Sequence, residues 1–218
     1  MDTVAVLSSS AEAALEKSSF FSTLKSGEMR REHLTDAFSQ YYFWRNSLHK
    51  WFGTCVADSP PVANNNFQEI NQILTILCEH ILEDFNHYGM LRDFLSQVGI
   101  DPDNIKPTTA TIAYLRSFNE RFSPASFEMA VAALAGRELL ASYRSKIILG
   151  ALLTTYKVHD VTFWNAHVEP EEEHFRAMWE PLMILTKDEP KLLRAAQGEI
   201  DRHVQFWDDV YQEHAIAA

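Results

Sequence analysis

Apolar residues recur every three or four positions through long stretches of this chain, with almost no strict alternation, and that period restricts it to helices joined by short connections. Seven glycines and eight prolines in 218 residues leave few places to break them. The sequence therefore predicts an all-α fold, a single compact bundle of about seven helices forming one domain over residues 1–218. With 46% hydrophobic and 12% aromatic residues, a chain of this length can bury a sizeable core.

A weak first helix is expected over Ser10 to Ser26. A stronger one runs from about Glu32 to Val56, with Leu34, Ala37, Phe38, Tyr41, Arg45, Leu48 and Phe52 along one side, and stops before the turn-rich DSPPVANNN. The next extends from Phe67 to about Val98, where Gly99 and then Pro102 end it. At a rise of about 1.5 Å per residue this helix crosses the whole domain. After the connector IDPDNIKPTTAT, a shorter helix covers Thr109 to Arg121. Ser123 and Pro124 then read as an N-cap and first helical residue opening a second long helix to Tyr156. Thr162 to Leu185 keeps a helical period but is interrupted at Pro170 and Pro181. Asp188, Glu189 and Pro190 start a terminal helix whose Leu192, Leu193, Ala196, Ile200, Val204, Trp207 and Tyr211 form an apolar stripe. There is no solenoid repeat and no low-complexity tract.

A formal charge of -11 argues against a nucleic-acid partner, since little here would replace counterions along a phosphate backbone. The N-terminus has no basic segment, and no run approaches the roughly 18 to 20 apolar residues of a membrane span. A cytoplasmic protein without a membrane partner is expected. Cys55 and Cys78 are too few for a disulfide scaffold and fit ordinary thiols in a reducing compartment.

The chemistry is concentrated in two short segments. HILEDFNH places His80, Asp84 and His87 at i, i+4 and i+7, within a wedge of about 60° on one helix face, so that they can converge. Glu83 lies near the same wedge, and spacing leaves open which carboxylate points inward. HVEPEEEH repeats the arrangement with His167, Glu171 and His174. Imidazoles and carboxylates from several helices suit iron, manganese or zinc, and are how carboxylate-bridged two-metal sites are built in bundles. Glu138, within the small apolar run AVAALAGRELLASY, is the candidate acid from another helix, because an unpaired charge there is costly. Each pattern also has a plainer reading: a solvated helix face with i, i+4 pairs, or Glu138 paired with Arg137 or Arg144. Pro170 interrupts the backbone ladder between His167 and Glu171: either a helix restarts there with Glu171, Glu172 and Glu173 as capping acids, or a kink beside a metal ligand re-aims these side chains. His33, His49, His159, His203 and His214 read as surface or core residues.

The runs HILEDFNHYGMLRDFLSQVGIDPDNI, MAVAALAGRELL and FWNAHVEPEEEH resemble the haem-oxygenase-like superfamily, in particular its iron-containing redox enzymes, the haem-oxygenase-like di-iron oxidases. The likeness covers most of the chain from about Gln40. It implies metal ligands at Glu83 or Asp84, at His87, at Glu138, and at His167, Glu171 and His174, with His80 as a further partner. Glu171 stands where the usual motif has Asp, which lengthens that arm by a methylene. It also implies two iron ions, with Mn or Zn as other occupants, and O2 as the partner that oxidises a small-molecule substrate. Tyr41, Tyr42, Trp44, Phe163 and Trp164 are candidates for the substrate pocket, or equally for core packing. The same superfamily contains TenA-like thiamin-salvage hydrolases, which need a nucleophilic Cys, and a cofactor-free oxidase of pyrroloquinoline-quinone maturation. Cys78 lies two residues before His80 and so points to another face. A metal-binding helical protein without turnover is the non-enzymatic alternative, and a homodimer is compatible with every reading.

Overall fold

Short polar side chains set where one helix stops and the next begins. The computed structural model describes residues 2–63, 65–122, 125–168 and 171–217, and these form ten helices and no strand. α1 (Thr3–Lys17) and α2 (Ser19–Ser26) replace the single helix expected from Ser10 to Ser26. The break is at Ser18, whose hydroxyl accepts from the Phe21 N–H and donates to Asp208, 2.6 Å away. Asp208 also accepts from the Phe20 N–H, so a carboxylate from the far end of the chain caps α2. No local pattern reveals such a contact.

The expected Glu32 to Val56 helix is likewise two, α3 (Arg31–Arg45) and α4 (Leu48–Ala57). Between them the Ser47 N–H bonds back three residues to Trp44, and the Ser47 hydroxyl bonds the Phe43 carbonyl. These local bonds compete with the helical ladder and turn the chain. α5 (Phe67–Gln97) and α6 (Thr109–Phe122) fall close to their expected bounds. α7 (Phe127–Thr154) starts later than expected: Ser126 is its N-cap, accepting from the Met129 N–H, while Ser123 and Pro124 lie outside the described residues. α8 (Thr162–Asn165) and α9 (Glu171–Leu185) follow, and α9 continues through Pro181, held by the buried Met178 and Leu182 on either side. α10 (Glu189–Ala217) begins after Asp188, whose carboxylate accepts from the Lys191 N–H.

α7 is the central element, packing on α1, α2, α4, α8, α9 and α10. Its small residues from Ala130 to Ala135 are buried on every side, as an apolar helix without a polar face requires. Gly136 allows α10 to approach: a Cβ there would lie 2.7 Å from the Ala196 carbonyl oxygen and 2.8 Å from its Cα. Gly136→Ala is therefore expected to push the two helices apart and cost about 1–3 kcal/mol. Gly150→Ala, on the same helix with nothing within 4 Å of the added methyl, should instead stabilise by about 0.5–1 kcal/mol. Thermal unfolding of the two variants checks this, and equal melting temperatures would mean that α7 and α10 are not in close contact. No described helix is long and apolar enough to cross a membrane.

Candidate metal centre

α5 packs against α3, α4, α8 and α9, and its inward face carries His80, Asp84 and His87. The two neighbouring acids differ in direction. Asp84 is buried, whereas the Glu83 side chain is 46% exposed at the rim, 3.8 Å from His80 Nδ1. α7 contributes Glu138, the turn after α8 contributes His167, and α9 contributes His174. With Arg45 from the end of α3 they line one cavity of about 160 Å3.

The cavity has two ends. At one, ligand atoms of His80, Glu138 and His174 all lie within 4.8 Å of one another. The His80 ring stacks flat on Phe52 and meets His174 edge-on, with ring centroids 4.4 Å apart. Glu138 is ion-paired with Arg137, whose guanidinium lies over the faces of Trp44 and Phe52. At the other end, His87 and His167 have ring centroids 4.5 Å apart, and Arg45 donates to Asp84 Oδ1 at 2.7 Å. Arg45 also donates to His87 Nδ1, at 2.9 Å.

Burial dominates the electrostatics. It lowers His80 and His87 to about 4, with Arg45 adding to the effect at His87, and holds His167 well below its usual value. These imidazoles are neutral at pH 7, the state a metal requires. Burial also raises Asp84 to about 6, against the opposing pull of Arg45. His167 Nδ1 lies 2.7 Å from the Phe163 carbonyl, which can only accept, so the ring proton sits on Nδ1 and the Nε2 lone pair faces inward. Nε2 of His167 and Nε2 of His80 are buried and make no hydrogen bond. Orphaned imidazole nitrogens in a cavity with a buried carboxylate are what a bound cation would satisfy.

Seven of the eight metal candidates read from the sequence thus meet in one place. The eighth, Glu171, has its side chain outside the described residues, as does Pro170. His167 and His174 do not share a helix: His167 follows α8, and α9 starts four residues later. The aromatic candidates lie elsewhere. Tyr41, Trp44, Phe163 and Trp164 are packed in the core, Tyr42 bonds Tyr88 and Arg92, and none is among the residues lining this cavity. Sequence reasoning overlooked Arg45 as a site residue, although a charge on the apolar side of the expected helix was a signal, because a buried charge demands a partner. His203 is a core residue, held by Arg144, Tyr114 and Trp207.

The family model described as iron-containing redox enzyme matches residues 35–208. No curated protein sequence matches the chain. Among solved structures, a domain of unknown function with a haem-oxygenase-like fold from Shewanella denitrificans superposes with a TM-score of 0.78 at 15% identity, over 96% of this chain and 90% of that one. A CADD-like protein of unknown function from Nostoc punctiforme gives 0.75 at 16%, over 96% and 97%. A TenA homologue from Pyrococcus furiosus gives 0.72 at 14%, over 96% and 99%. The fold is haem-oxygenase-like.

Proposed function

The chain belongs to the iron-containing redox enzyme family, and from that premise we propose that it is an iron-dependent oxidase or oxygenase that uses O2 to oxidise a small molecule. The observation that carries the proposal is the convergence of His80, Glu138 and His174 within 4.8 Å beside two further inward-facing histidines. Iron, once bound, supplies the electrons that activate O2. His80, neutral at pH 7, and His174 with the Glu138 carboxylate would hold it, with His167 presenting Nε2 in a direction fixed by the Phe163 carbonyl. A two-ion form would draw as well on Asp84, His87 and Glu171. Asp84, raised to about 6, can give up a proton near neutral pH from Oδ2, which makes no hydrogen bond. Phe52 stacked on His80, and Trp44 and Phe52 beneath Arg137, give this end an aromatic wall. Manganese or zinc would suit the same donors.

Anaerobic loading with ferrous iron followed by O2 uptake tests the reading. Iron should be retained and O2 consumed, and both should be lost in His80→Ala. Tight iron binding without O2 consumption would favour a protein without turnover, and no retained iron would end the proposal. A thiamin-salvage hydrolase is the less supported reading. Cys55 is buried with its thiol pushed up to about 12, Cys78 is exposed, and neither is among the residues lining the cavity.

A further inference from the structure

The two ends of the cavity are not equivalent toward a cation. One terminal nitrogen of Arg45 donates to both Asp84 Oδ1 and His87 Nδ1. A guanidinium keeps its protons and can only donate, so His87 Nδ1 must offer its lone pair and the ring proton must sit on Nε2. In that tautomer neither nitrogen of His87 can take a metal. One oxygen of Asp84 is engaged as well. At the other end, the ligand atoms of His80, Glu138 and His174 stand close together, and Nε2 of His80 makes no hydrogen bond. Charge points the same way. Among the described residues, Arg45 is paired with Asp84 and Arg137 with Glu138, so a second divalent ion would enter a buried site beside two guanidinium cations.

We infer that Arg45 is a built-in counter-cation standing in one of the two metal positions, so that the chain holds one ion tightly at His80, Glu138 and His174 and admits a second only when the guanidinium is displaced. The inference rests on the metal-site reading above and sets its nuclearity. Arg45 acts on the second position by engaging Asp84 and His87, and is a positioning residue.

The test is anaerobic titration with Fe2+, and with Co2+ as a redox-stable probe, reading bound metal per chain after desalting and the binding isotherm. The wild-type chain should retain one ion. Arg45→Met should retain two, with the second site tightened at least roughly 100-fold, as expected when a like charge is removed from a desolvated site. Because Arg45→Met leaves Asp84 buried and unpaired, Arg45→Gln is the companion variant: its amide keeps a hydrogen-bond donor without the charge, and it too should exceed one ion. In the metal-free wild type, imidazole nitrogen shifts should place the His87 proton on Nε2. Two equivalent ions in the wild type, one ion in folded samples of both variants, or a His87 proton on Nδ1 would each overturn the inference while leaving the iron-site reading intact. Absence of bound metal in all three proteins would overturn that reading, and this inference with it.

Discussion

Glu138→Gln is expected to lose iron while keeping its helices. Among the described residues, Glu138 is the one carboxylate in the group with His80 and His174, and it lies on the central helix where it is 5% exposed. The amide keeps the size of the side chain but removes the anion, so iron affinity should fall by more than about 100-fold, the upper range for loss of a supporting contact alone. A second effect accompanies the first. Arg137, 1% exposed, loses the carboxylate it pairs with. Removing one partner of a buried pair costs about 3–5 kcal/mol, which for a chain of this size lowers the melting temperature by roughly 10 °C. Circular dichroism with melting of the metal-free protein and metal analysis after loading separate the two effects. A variant that melts low but binds iron like the wild type would reduce Glu138 to a counterion for Arg137.

Acid should unfold the metal-free protein unusually early. His80 and His87 are lowered to about 4, and His167 and His203 are held well below 6.5, all chiefly by burial. A histidine with a depressed folded pKa takes up a proton on unfolding at any pH between its folded and unfolded values, so stability falls as pH drops through that window. Asp84 works in the opposite sense. Raised from 3.8 to about 6, it holds a proton in the folded state that the unfolded chain releases, and this contribution favours the fold as pH falls from 6 toward 4. Four histidines against one aspartate leave a net uptake of about three protons near pH 5, a slope of order 3 kcal/mol or more per pH unit. A domain of ordinary stability should therefore unfold between about pH 6 and 4.5. Melting temperature against pH checks this, and His203→Asn should flatten the slope by about one proton. A melting temperature constant from pH 7 to 4.5 would show that these imidazoles are solvated.

Helix content and the inward face of α5 were legible because both are local. A 3.6-residue period shows in the spacing of apolar residues, and the same period puts His80, Asp84 and His87 on one side whatever surrounds them. Glu138 was legible as a charge in a run of alanines and leucines. The breaks at Ser18 and Ser47 were not. Ser18 ends a helix because Asp208, 190 residues away, reaches it, and neither residue announces the other. The aromatic candidates failed to line the cavity for a similar reason. Composition says that Tyr41, Trp44 and Trp164 are buried, and only packing decides whether they face a cavity or one another, as the 5.3 Å and 5.5 Å ring separations from Tyr41 show.

The choice between Glu83 and Asp84 marks the boundary. Sequence alone put two adjacent acids beside the histidines, one on either side of their shared direction, and spacing could not choose between them. It also placed the candidate ligands on separate segments, since turn signals divide the stretches that carry them. Tertiary structure alone decided that Asp84 is the inward one and that Arg45 meets it, for the contact depends on how α3 crosses α5. That crossing is set by side chains interlocking across two helices far apart in the chain, and no spacing within either helix encodes it.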